Sequence, residues 1–160
     1  MTAVVPLRDV VDAMDMMGDE IHAYLNKETG ELVSTMDEDI RAIENEENED
    51  DFPEWQRESL AIARKVLDNP DYLALPDKFE IDEYRIMERF CYSVSDPELS
   101  GELMYQIKGQ GAFRRFKNAI HHYGIEDKWY EFRNEAMEEI AIEWLESHGI
   151  PFSRDKDPEP

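Results

Sequence analysis

The chain has 160 residues, 41% of them hydrophobic and 11% aromatic, and its 39 acids against 17 bases leave a formal net charge of −22. That apolar share is enough for a real core in one domain and excludes wholesale disorder, while the charge excludes broad binding to phosphate backbones or anionic lipid. A single cysteine, Cys91, excludes an internal disulfide and suits a reducing cytoplasm, the expected location.

No run approaches the ~18 apolar residues that span a bilayer. The opening MTAVVPLRDVVDAM mixes acids among its apolar residues, unlike a secretory signal. Pro6 to Met17 predicts a helix: Val10, Val11, Ala13, Met14 and Met17 form a stripe, with Pro6 at the first turn and Gly18 at the end. Residues 20–35 then alternate with period two about the turn Asn26 to Gly30, which predicts a β-hairpin. A second helix starts near Met36, with Thr35 and Glu38 at capping-box spacing and acids at 37–39 suited to a helix N-terminus. From Glu44 to Asp51 six of eight residues are acidic, so 44–52 reads as a self-repelling, mobile loop.

Pro53 restarts order. Trp55, Leu60, Ile62, Ala63, Val66 and Leu67 predict a helix that ends at Asn69-Pro70, and Tyr72 to Pro76 reads as a short extended link. Asp82 caps the next helix, whose apolar face is Tyr84, Ile86, Met87 and Phe90; Cys91 beside Phe90 reads as a packing position. Ser95-Asp96-Pro97-Glu98 starts another helix, with Ser95 as cap and Pro97 in the first turn, running to Ile107. Gly109-Gln110-Gly111 breaks it. A helix from Ala112 to Tyr123 stops at Gly124. The last, Glu126 to His148, repeats Trp129, Phe132, Ala136, Met137, Ile140 and Trp144 at helical spacing. Gly149 and Pro151 end it, and 153–160 reads as a disordered polar tail. The expected fold is α+β and predominantly helical: an N-terminal hairpin packed on about five or six helices, in a single domain over 1–152. A hairpin is marginal alone and must pack on a helix or a second copy, so a homodimer through it is one expectation.

The charge is uneven. Residues 101–125 hold four bases and one acid. The candidate anion or partner-binding residues are therefore Lys108, Gly109, Gly111, Arg114, Arg115 and Lys117: glycines before a helix N-terminus expose N–H groups, and the cations add to the dipole. The glycines lack both the Walker spacing and the dinucleotide fingerprint, and a sharp corner between helices is their ordinary use. The arginines equally suit pairing with Glu126, Asp127 or Glu131. His121 and His122 diverge by about 100° on a helix, against a shared metal. Glu135, Glu139 and Glu143 share a face without the Glu-x-x-His of di-iron bundles. No serine sits in a nucleophile elbow. No catalytic residue, metal or cofactor is assigned.

The blocks GQGAFRRFKNAIHHYGIEDKWYEFRNEAMEEIAIEWLESHGI, PDKFEIDEYRIMERFCYSV and AYLNKETGELV resemble an uncharacterised bacterial protein family with the pattern G-x-G-A-F-R-R-F-K, W-Y-x-F-R, E-W-L and H-G-I. The resemblance covers the chain from the first helix to Pro151. It implies one folded unit and transfers no activity. The leading expectation is a non-catalytic binding or regulatory module with a protein partner; direct nucleic-acid binding is not expected. The alternatives are a DNA-mimic inhibitor of a basic protein, and an enzyme whose site forms only in the fold.

Overall fold

The structure is a computed structural model and describes residues 3–154. It is α+β and predominantly helical, with seven helices of two turns or more and one single-turn helix among the described residues. The sequence reads as one domain; the chain separates into two compact units, Met1–Glu80 with Ile140–Pro160, and Ile81–Glu139.

In the first unit, β1 (Val5–Pro6) leads into α1 (Leu7–Met16), which buries Leu7, Val10, Val11 and Met14. The hairpin is β2 (Ile21–Asn26) and β3 (Leu32–Met36), antiparallel, with Leu25 opposite Leu32 and Ile21 opposite Met36. Its turn is built by Asn26, whose Oδ1 accepts from the N–H groups of Glu28 and Thr29, and by Gly30 at φ +79°. The extended link foreseen at 72–76 is β4 (Tyr72–Ala74), a third strand antiparallel to β2 in the order β3-β2-β4. Its three residues show too little alternation to register as a strand in the sequence. The hairpin is thus completed within the chain.

Helix α2 (Asp37–Glu44) packs along α3 (Glu54–Asp68), which buries Leu60, Ala63 and Val66. The expected capping box does not form: the N-cap is Met36 with no side-chain cap bond, and the buried Thr35 hydroxyl has no hydrogen-bond partner among the described residues. Extended pairing of Thr35 with His22 keeps it in β3, one residue too early to cap. Within the acidic 44–52 segment, Glu44 ends α2 and Glu49–Asp51 form a 3₁₀ turn. Arg57 ties this segment to α3 by donating to the carbonyls of Phe52 and Asp50. Ser153, the first residue of the expected disordered tail, instead joins Phe152 in β5, parallel to β1; 155–160 lie outside the described residues.

The second unit begins at Ile81, the last residue of the one-turn α4 (Lys78–Ile81). Asp82, at φ +50°, caps α5 (Glu83–Ser93) through Oδ1 and the Arg85 N–H. The cap of α6 (Pro97–Gln106) is Asp96 rather than Ser95, with Oδ1 accepting from the Glu98 N–H at 3.0 Å. Proline at N1 fixes the register, so the residue directly before it takes the cap. α7 (Ala112–His122) and α8 (Glu126–Ser147) follow; the unit boundary falls within α8. Phe90, Phe116, Trp129 and Phe132 form an edge-to-face cluster with centroids 4.9–6.0 Å apart. Glu83 grips Arg133 at 3.0 and 3.1 Å, fastening α5 to α8.

Candidate functional site

The corner between α6 and α7 is built by two glycines and one arginine. Gly109 and Gly111 both sit at positive φ, +76° and +75°, a region costly to side-chain-bearing residues. Their turn points three carbonyls at one place. The Arg115 guanidinium fills it: Nε donates to the Gln106 carbonyl at 2.9 Å, Nη1 to Gln110 and Nη2 to Lys108. Gln106 is the last residue of α6, so its carbonyl lacks an intrahelical partner and sits at the negative end of the helix dipole. Arg115 therefore closes α6. A Cβ on Gly111 would stand 3.1 Å from Arg115 Nη1. The carboxylates weighed as partners do not pair with it; the partners are carbonyls, because the turn brings them nearer than any acid.

Arg114, one position on, points elsewhere. It is exposed and, among the described residues, makes no hydrogen bond or ion pair, and the same holds for the Lys108 side chain. Lys117 is exposed with its Nζ 5.4 Å from the Tyr130 ring. Arg114 and Lys117 are three residues apart on one helix and so are surface neighbours, with the half-exposed Phe113 beside them. Glu126 is taken by His121, Nδ1 to Oε1 at 3.0 Å. The sequence candidates thus divide: Gly109, Gly111 and Arg115 form the corner, while Lys108, Arg114 and Lys117 carry exposed positive charge on its outside with no acid partner among the described residues.

Among the described residues this unit has at least two concavities. A shallow groove of about 310 Å³ between α6 and α7 is lined by Arg115, Asn118, His122 and Tyr123, with Glu102 bonded to Gln106 on its other wall. It runs beside α6. A larger, half-open cleft of about 490 Å³ contains none of the sequence candidates. Its floor includes Phe90, Leu99, Ile125 and Phe132, and its rim Asp96, Lys128, Glu131 and Glu135. Sequence reasoning missed it because its walls come from α5, α6 and α8, each unremarkable alone. Lys128, Phe132 and Glu135 at helical spacing were the one visible signal. Among the described residues no three His, Cys, Asp or Glu side chains are grouped to hold a metal ion, and no helix is long and apolar enough to cross a membrane.

The model of an uncharacterised protein family, UPF0158, matches residues 3–160. A UPF0158 protein of Pseudomonas aeruginosa is 28% identical over 88 residues, which cover 53% of this chain and 58% of that protein's length. No solved structure matches. The chain belongs to the uncharacterised protein family UPF0158.

Proposed function

We propose that this member of UPF0158 is a non-catalytic cytoplasmic binding module that holds an acidic segment of a partner protein. Its contact surface is the outer face of α7: Arg114 and Lys117, with Lys108 at the corner and Phe113 as the apolar contact. The observation that carries this reading is the freedom of those cations. In a chain with 39 acids to 17 bases, Lys108 and Arg114 have no acid partner among the described residues and Lys117 meets an aromatic ring there. A cation left unpaired amid surplus carboxylates is available to an outside anion. Gly109, Gly111 and Arg115 hold the surface in shape, and Arg115 keeps its charge because carbonyls do not neutralise it.

Titration with a fluorescein-labelled deca-glutamate peptide, read by anisotropy, tests it. Saturable binding is expected, weakened about tenfold by Arg114→Ala with Lys117→Ala, and weakened again as salt rises from low to physiological strength. Binding that ignores both substitutions overturns the reading. Saturation by inorganic phosphate alone, with the peptide inert, replaces the partner by a free anion.

A second reading rests on charge distribution. Ile81–Glu139 hold 12 acids and 8 bases, −4, which leaves −18 on the other unit. That unit suits a decoy for a basic, nucleic-acid-binding protein. Neutralising Glu46, Glu47, Asp50 and Asp51 should then release such a partner, whereas the α7 reading leaves its partner bound.

A further inference from the structure

We infer that the cleft between α5, α6 and α8 is a docking groove for a basic amphipathic helix of another protein. It is a separate surface from the outer face of α7. Its shape comes first. At about 490 Å³ and half open, it is large enough for one or two apolar side chains while leaving their backbone outside. The floor is preorganised: Phe132 lies edge-on to Phe90 at 5.5 Å, and Phe90 is locked by Trp129 at 5.4 Å and Phe116 at 6.0 Å. Leu99 and Ile125, both half-buried like Phe132, complete the apolar surface, with the Arg89 guanidinium 5.7 Å from the Phe132 ring.

Charge selects the occupant. Asp96, Glu131 and Glu135 stand on the rim against Lys128 alone, and neither glutamate has an ion-pair partner among the described residues. Glu131, Glu135 and Glu138 follow at i, i+4 and i+7, so they form one ridge of α8. At 1.5 Å per residue that ridge runs for about 10 Å, two turns of a partner helix. A small ligand would need its charges converged; here they are strung along a line beside an apolar trough. That is the complement of a helix with leucine-type anchors on one face and Lys or Arg along its flank. Lys128, at the start of the ridge, favours the partner's C-terminal end there, where its carbonyls carry partial negative charge. The net −22 of the whole chain steers a basic partner inward and opposes a second copy of this chain.

The probe is a fluorescein-labelled 14-residue peptide of leucine and lysine at helical spacing, titrated by anisotropy into the full chain. Micromolar binding is expected. Glu131→Lys with Glu135→Lys should weaken it at least about tenfold and Leu99→Gln about threefold. Neutralising Glu46, Glu47, Asp50 and Asp51 should change it by less than about twofold. Circular dichroism melts establish that each variant is folded. Arg114→Ala with Lys117→Ala should leave this binding intact, so failure here and failure of the α7 reading are told apart. The inference is overturned if the rim variant binds like wild type. It is equally overturned if loop and rim variants weaken binding alike, or if tetradeca-lysine binds as well, since then only the overall field acts. Self-association abolished by the rim variant would also overturn it, by making a second copy the occupant.

Discussion

Arg115 and Arg114 are adjacent in sequence and opposite in use. One turn of 100° separates a guanidinium spent on three carbonyls from one facing solvent. Hydrogen bonds from a charged donor contribute about 1.5–3 kcal/mol each, and removing the donor leaves acceptors to be rehydrated. Arg115→Ala is therefore expected to cost about 2–3 kcal/mol in urea unfolding, with Arg115→Lys recovering less than half, because an ammonium lacks the planar fork. Gly111→Ala should cost about 1–2 kcal/mol through its positive φ, and less in the Arg115→Ala background, where the contact 3.1 Å away is gone. An Arg115→Ala variant within about 0.5 kcal/mol of wild type would remove the corner's structural role. The sequence shows that these six residues share a corner; only the turn's geometry decides which cations it consumes.

Among the elements, the sheet is clasped at its hairpin end by side chains from three places. Glu31, at the base of β3, accepts from the Tyr72 hydroxyl on β4 and from Lys65 Nζ on α3 at 3.1 Å; Lys65 also lies over the Tyr72 ring. The Tyr72 bond first, then the Lys65 bond, hold the Glu31 carboxyl below its ordinary 4.5. Because the folded pKa is the lower one, the unfolded chain binds more protons as acid is added. The clasp's stability is thus complete above about pH 4.5 and is lost as pH falls through the folded value. Lys65, raised above 10.5 by Glu31 and then Tyr72, loses its share only as pH rises past that point. Glu31→Gln should flatten the acid limb of the pH–stability curve and lower stability at neutral pH, where the clasp is complete. An unchanged acid limb would show the clasp to be idle. The contacts join residues 31, 65 and 72, a separation at which sequence spacing says nothing about proximity. Thr35 shows the same limit in reverse, its capping-box spacing overridden by the strand that holds it.

For the molecule as a whole, two units divide both charge and chemistry. Cys91 reports on the less acidic one: it is fully buried, and burial pushes its thiol up to about 11. At neutral pH, iodoacetamide should leave native protein unmodified and label it only at the rate at which the 81–139 unit opens; alkylation as fast as a free thiol would refute that packing. Helices were legible almost to the residue because apolar stripes, proline at first turns and glycine at ends act within one turn of chain. The hairpin was legible because alternation and a turn opened by Asn26 and closed by Gly30 are local too. The strand pairs β1–β5 and β2–β4, the carbonyl cage around Arg115 and the α5–α6–α8 cleft were not, since each joins residues far apart in the chain. The sequence by itself determined composition, element order, the acid surplus and the place of the basic island. Tertiary structure decided which of those charges find partners among the described residues and where an apolar floor stays partly exposed, because both depend on which distant residues folding brings into contact.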